Sequence, residues 1–134
     1  LSAAVADMTR DCIEKSGVLD DVDWIVPVPI HWRRRAWRGF NQSEILCEHL
    51  PKKLLAPETM FRTRYTRPQV GLPLNERLVN LANSFAAHSD LGGARILLVD
   101  DVYTSGATAR ECAKALKARG AASVGMFALT RSMD

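Results

Sequence analysis

Four apolar residues, Ile96, Leu97, Leu98 and Val99, run straight into two carboxylates, Asp100 and Asp101, and then into a turn of small residues, Thr104, Ser105, Gly106, Ala107 and Thr108. A β-branched and leucine run of this length suits a strand buried on both faces of an α/β sheet, where alternation gives way to continuous apolarity. Ala109, Cys112, Ala113 and Leu116 then keep helical spacing, so a helix opens at the turn. A strand, turn and helix joined in this way offer hydroxyls and backbone N–H groups at a helix N-terminus, an arrangement that cradles a phosphate. Gly106 permits a close backbone approach that a Cβ would block. Carboxylates repel a phosphate at their own position, so the anion is expected further along, on Thr104, Ser105, Gly106, Ala107 and Thr108. Asp100 and Asp101 are left as acceptors for vicinal hydroxyls or, through water, for a metal ion.

A second segment, Trp24-Ile25-Val26-Pro27-Val28-Pro29-Ile30-His31, reads as another buried strand, which its prolines confine to an end or edge position. Arg33, Arg34, Arg35 and Arg38 follow, then Gly39-Phe40-Asn41-Gln42-Ser43 and a helix whose apolar positions are Ile45, Leu46 and Leu50, with Asn41 or Ser43 as its N-cap. A strand leading through a basic loop into a helix again suits an anion. Two other readings stand beside that one: a solvated basic loop, or, with Trp32, Trp37 and Phe40 interleaved, a track for a single nucleic-acid strand by stacking and phosphate contact.

The spacing predicts helix over 2–15, strand over 24–29, helix over 43–50, strand over 59–64, a loop, helix over 74–85, strand over 95–99, helix over 107–119 and strand over 123–129, with Gly120 at the C′ position that ends its helix. Strands alternating with helices predict an α/β fold, three-layered, with a mainly parallel twisted sheet and right-handed crossovers. Ligands of such sheets lie outside the carboxyl ends of the strands, so both anion loops are expected to converge on one crevice. A length of 134 residues suits one domain with one core, residues 1–134.

Several classes lack support. No Gly-x-x-x-x-Gly-Lys-[Ser/Thr] and no Gly-x-Gly-x-x-Gly occurs, which removes P-loop and dinucleotide-binding readings. A receiver domain also carries an acidic pair after a strand, but near its N-terminus, and too little chain follows Asp101 here for the rest of one. No apolar run reaches membrane-spanning length. Cys12, Cys47 and Cys112 are too widely spaced for a zinc module. They read as small apolar residues, Cys12 in step with Val5 and Met8, and Cys112 on the apolar stripe of its helix. An odd cysteine count without a signal-like segment implies a reducing, cytoplasmic setting. The formal net charge is only +3, and the basic residues cluster over 33–38 and 52–77, so the field is local. His49 and His88 read as surface positions. A first residue that is not methionine suggests that a longer protein was trimmed and that an N-terminal module precedes this sequence.

The run Asp100-Asp101-Val102-Tyr103-Thr104-Ser105-Gly106-Ala107-Thr108 resembles the 5-phosphoribosyl 1-pyrophosphate (PRPP) motif of type I phosphoribosyltransferases. The Pro-x-Pro strand of Val26 onward, with its arginines and the Arg38-Gly39-Phe40-Asn41-Gln42 signature, is similar to the competence protein F (ComF/GntX-like) branch of that family. Arg67-Pro68-Gln69-Val70-Gly71-Leu72, then Glu76, Arg77, Asn80 and Phe85, resemble that branch's flexible loop and the helix leading to the PRPP strand. The resemblance implies PRPP as substrate with Mg²⁺, transfer of the phosphoribosyl group to an acceptor and release of pyrophosphate. It places Asp100 and Asp101 on the ribose hydroxyls and Thr104, Ser105, Gly106, Ala107 and Thr108 on the 5′-phosphate. Pro29, Ile30, His31, Arg33, Arg34 and Arg35 fall to the pyrophosphate, and Arg67 comes from the flexible loop to steady the leaving group. No side chain is expected to bind the metal directly; Mg²⁺ would arrive with PRPP and meet Asp100 and Asp101 at most through water. The acceptor is unnamed, and the hood that selects it is expected from residues 1–23 or from preceding chain. Two alternatives are a silent PRPP or nucleotide sensor and a DNA-uptake or single-stranded-DNA factor using the fold as a platform. A homodimer is compatible with each.

Overall fold

The apolar run beginning at Ile96 becomes the middle strand of a sheet. In the computed structural model, which describes residues 2–30, 41–63, 73, 75 and 81–131, β4 (Arg95–Tyr103) lies between β1 (Trp24–Pro27) and β5 (Ser123–Arg131), with both pairings parallel. The register sets Val26 beside Leu98 and Leu98 beside Met126. Ile96, Leu97, Leu98 and Val99 are all buried, because both faces of the strand are covered. One face, with Ile25, Leu97 and Val99, packs on Ile13 of α1 (Ser2–Ser16) and on Leu46 and Cys47 at the end of α2 (Gln42–Leu46). The other, with Val26, Ile96 and Leu98, packs on Cys112 and Leu116 of α3 (Ala107–Ala118) and on Met60, Phe85 and Ala87 of a small antiparallel pair, β2 (Met60–Arg62) and β3 (Phe85–Ala87). This is the three-layered, mainly parallel α/β architecture expected. Each fully buried Leu or Ile stabilises it by about 1.5–3 kcal/mol relative to exposure.

The sheet's amino end is tied by Asp23 and Arg95. The Asp23 N–H donates to the Arg95 carbonyl at 2.8 Å, while the Arg95 backbone N–H and guanidinium Nε donate to the Asp23 carboxylate at 2.8 and 3.1 Å. Those guanidinium hydrogen bonds hold the Asp23 carboxyl below the usual carboxylate range. Beyond Pro27 the ladder ends with Val28, whose N–H still reaches the Val99 carbonyl at 2.9 Å. On the other side of β1, pairing among the described residues is an isolated bridge between Ile25 and Leu55, in keeping with the edge character its prolines impose.

Several expectations need correction. The buried stripe of α1 is Ala6, Thr9 and Ile13, leaving Met8 and Cys12 exposed. Thr9 was hidden from an apolarity count because it is polar, yet its hydroxyl donates to the Val5 carbonyl at 2.9 Å and is thereby satisfied inside the core. A short 3₁₀ turn, Val18–Asp21, follows α1 and was not anticipated. The helix expected over 43–50 winds as α2 only to Leu46 and then tightens into i to i+3 turns, Cys47 N–H to Glu44 O and Leu50 N–H to Cys47 O, each 3.1 Å, before Pro51.

The helix expected over 74–85 does not reach its end. Asn75 and Leu81 are helical, but Asn83 takes a left-handed φ of 56° and Phe85 begins β3. Asparagine tolerates that conformation, which closes a helix as glycine does. Asn83 is then fastened to α3: its N–H donates to Glu111 at 2.8 Å and its Oδ1 accepts from the Lys114 ammonium at 2.9 Å. Burial would raise the Glu111 carboxyl, but the Asn83 N–H and the Lys114 ammonium outweigh it and hold the carboxyl below its usual range. The strand expected over 59–64 is shorter, Met60–Arg62, and Arg64 lies outside the described residues. His88 is exposed as expected, its ring 4.4 Å from that of Phe61, whereas His49 is half-buried and pairs with Asp7, joining α1 to the turn after α2. No helix among the described residues is long and apolar enough to cross a membrane.

Candidate functional site

The carboxyl end of β4 carries the acidic pair, and the strand does not stop before it. Pairing with β5 continues through Asp100 beside Ala128, Val102 beside Thr130 and Tyr103 beside Arg131, so strand geometry runs four residues past the expected end at Val99. Both carboxylates are half-buried. Oδ1 of Asp100 accepts from the Ser43 hydroxyl at 3.0 Å and from the Asp101 N–H at 2.8 Å. Burial, together with the facing Asp101 carboxyl, nevertheless pushes the Asp100 carboxyl up to about 7, against the two donors that favour its charged form. The pair is therefore poised to gain from any ligand that brings hydroxyl donors or positive charge.

The start of α2 meets this end of the sheet. Asn41 is the N-cap: its Oδ1 accepts the Ser43 N–H at 2.9 Å, and its Nδ2 donates to the Val28 carbonyl at 3.2 Å. Asn41 thus fixes the far end of the basic loop to the last rung of β1, while Ser43 touches Asp100. Pro29 and Ile30, the described beginning of that loop, are half-buried, and with Asn41 they border a cleft of about 370 Å³ that extends to Arg62 and His88. His31, Arg33, Arg34, Arg35 and Arg67 lie outside the described residues, as do Trp32, Trp37, Arg38 and Phe40.

After Tyr103 the chain bends through Thr104, Ser105 and Gly106 into α3. Gly106 is the N-cap, in a left-handed conformation at φ 84°, and the Ser105 hydroxyl accepts the Ala107 N–H at 3.3 Å. Arg110 makes the first helical bond, to the Gly106 carbonyl at 2.9 Å; the preceding N–H groups have no acceptor within the helix, as at any helix start. A Cβ at Gly106 would lie 2.5 Å from the Tyr103 hydroxyl, so the glycine is required by both conformation and space. The Arg131 guanidinium sits 5.8 Å from the centre of the Tyr103 ring. Of the expected phosphate-loop residues, Gly106 and Ala107 are buried and Thr104, Ser105 and Thr108 half-buried, side by side at one helix end.

Asp100, Asp101, Thr104, Ser105, Gly106, Ala107 and Thr108 are thus one continuous strand-turn-helix, and Pro29 and Ile30 end the neighbouring strand β1. Ser43 as a partner of Asp100 and Tyr103 as a wall behind Gly106 were not read from the sequence. Tyr103 lay inside the motif, but nothing in spacing shows where its ring folds. Ser43 is separated from Asp100 by 57 residues, and only the packing of α2 over β4 brings them together. Among the described residues no cluster of three or more His, Cys, Asp or Glu could hold a metal ion.

Comparison with known proteins gives a consistent picture. A family model for the phosphoribosyl transferase domain matches residues 43–134. The chain is 42% identical over 115 residues to DNA utilization protein YhgH of Escherichia coli (strain K12), covering 83% of this chain and 50% of that protein. It is 33% identical over 114 residues to competence protein F of Haemophilus influenzae, covering 81% of this chain and 50% of that one. The chain therefore spans about half the length of these relatives. A crystal structure of a hypoxanthine phosphoribosyltransferase from Staphylococcus aureus superposes with a TM-score of 0.55 at 10% identity, covering all of this chain and 76% of the other, a likeness of fold alone.

Proposed function

The chain belongs to the ComF-like branch of the type I phosphoribosyltransferase family, and on that premise we propose that it binds PRPP with Mg²⁺ and transfers the phosphoribosyl group to an acceptor nucleophile. The observation that carries this reading is the junction at the end of β4: two half-buried carboxylates followed within a few residues by a glycine-capped helix start. Asp100 and Asp101 hold the ribose hydroxyls. Thr104, Ser105, Gly106, Ala107 and Thr108 hold the 5′-phosphate with hydroxyls and first-turn N–H groups. Pro29, Ile30, His31, Arg33, Arg34 and Arg35 take the pyrophosphate, with Arg67 stabilising the leaving group.

In the transfer the bond from C1 of the ribose to the pyrophosphate oxygen breaks, its electron pair leaving with pyrophosphate, while the acceptor's lone pair forms the new bond to C1 and the acceptor gives up a proton. Positive charge develops on the sugar ring, so the protein contributes position and electrostatics rather than a covalent nucleophile. The hard carboxylate oxygens of Asp100 and Asp101 suit a Mg²⁺ that would come with PRPP, which they would meet through water. The ion supplies neutralisation of the leaving pyrophosphate.

Calorimetry with PRPP and Mg²⁺ tests the binding, and pyrophosphate release on adding candidate acceptors tests turnover. Binding that disappears in the Asp100→Asn/Asp101→Asn protein is the expected result; no binding by the intact protein refutes the reading. A DNA-handling role, favoured by the names of the relatives, predicts single-strand affinity whose salt dependence shrinks when Arg33, Arg34 and Arg35 are removed.

A further inference from the structure

Among the described residues four polar side chains are buried: Thr9, Asn41, Ser43 and Ser84. Two of them serve only their own turn, Thr9 bonding the Val5 carbonyl and Ser84 that of Leu81. Asn41 and Ser43 instead reach elements far off in sequence, Val28 and Asp100, across 13 and 57 residues. Neither long reach is needed to start α2, since Asn41 already caps it through the Ser43 N–H. The Ser43 hydroxyl, 3% exposed as a residue, is thus free of any local duty and is spent on one oxygen of one carboxylate.

We infer that Ser43 is a positioning residue for ribose recognition: with the Asp101 N–H it pins Oδ1 of Asp100, so that the remaining carboxylate oxygen is presented in one orientation to the sugar's 2-hydroxyl. This rests on the proposed role of Asp100 as a ribose acceptor. A carboxylate on a half-buried strand end has rotational freedom at its terminal torsion. Two donors converging on the same oxygen remove that freedom before the ligand arrives, so the ligand does not bear the ordering cost on binding. Asn41 adds a second tie, holding the same helix start to the end of β1, so the acidic pair and the loop after β1 share one anchor.

The consequence is selectivity for a sugar that offers the hydroxyls, as distinct from general affinity for a sugar phosphate. Ribose 5-phosphate and 2-deoxyribose 5-phosphate, each with Mg²⁺, are titrated into the intact protein, Ser43→Ala and Ser43→Thr. Intact protein should prefer the ribose form. Ser43→Ala should lose roughly tenfold for ribose 5-phosphate, the scale of one charge-assisted hydrogen bond, and little for the deoxy sugar, so that the ratio of affinities falls towards one. Ser43→Thr, which keeps the hydroxyl, should restore much of the ratio. A residue that only supports the fold would weaken both ligands alike; an unchanged ratio in a folded Ser43→Ala therefore overturns the inference. If Ser43→Ala does not fold, Ser43→Cys replaces it, its weaker donor giving an intermediate ratio if the inference holds and the intact ratio if it does not. Loss of both ligands by the intact protein would instead sink the PRPP reading itself, so the two failures are distinguishable.

Discussion

Replacing Asp100 by Asn removes a charge that the ligand-free fold holds at a cost. The side chain keeps its shape, and its Oδ1 can still accept from the Ser43 hydroxyl and the Asp101 N–H. A carboxyl moved from 3.8 to about 7 prefers its protonated form in the fold by about 4 kcal/mol, at about 1.4 kcal/mol per pH unit. Solvent at the half-buried carboxyl screens part of this, so about half, roughly 2 kcal/mol, is the figure for the substitution. The folded-state value is raised, so this contribution to stability is fully present below pH 3.8 and is lost as pH rises through about 7. The Asn protein does not share that loss. Thermal unfolding without metal or ligand should show the two proteins close at pH 4 and separating upward, with Asp100→Asn melting roughly 6–10 °C higher at pH 8. The difference between the proteins is the readout, which cancels the titrating groups that lie away from Asp100. If Asp100→Asn melts at or below the intact protein at pH 8, the carboxylate is not destabilising and the account of its surroundings is wrong. The same substitution should abolish PRPP binding, which would make Asp100 a residue kept at the expense of stability.

Gly106→Ala should destabilise by about 1–3 kcal/mol, from left-handed strain and the contact with the Tyr103 hydroxyl, read by urea unfolding; a neutral outcome would mean that the turn relaxes freely. At Asn83, both Gly and Ala lose the bond from Lys114, but only Ala also bears the left-handed conformation, so Asn83→Gly should exceed Asn83→Ala by about 1 kcal/mol in the same assay. Native thiol titration should count one fast cysteine of the three, because Cys12 is exposed while Cys47 and Cys112 are buried and burial pushes both thiols up, Cys47 to about 12. Leu116→Ala, at a position with no exposure, should cost about 2–5 kcal/mol.

The strand at Ile96 was legible because four consecutive apolar residues admit few other environments, and the turn after it because its small residues answer to backbone geometry that only they satisfy. The extension of β4 to Tyr103 was not legible: Asp100 and Asp101 have poor strand propensity, and pairing with β5 overrides it. Phe85 looked helical because its spacing continued the preceding pattern, whereas one asparagine in a left-handed conformation redirects the chain two residues earlier. Thr9 and Cys12 were exchanged between core and surface because polarity was taken as a proxy for burial, and a hydroxyl bonded to its own helix escapes that proxy. The contact between Ser43 and Asp100 depends on how two distant elements pack, which no local pattern encodes.

The continuity of Ile96 through Asp101 in one strand bears on how the protein would respond to a ligand. Strands paired on both sides and covered on both faces usually exchange their amide hydrogens only when the whole molecule opens. Asp100 continues that strand one residue past its last rung to β1 and stays paired with Ala128 of β5. A molecule gripped by this carboxylate in the folded protein and not in the unfolded chain would raise the resistance of the entire domain to heat and to proteases, by an amount that grows with its concentration over its Kd. Slowed exchange should then spread along β1, β4 and β5 together, well beyond the residues in contact.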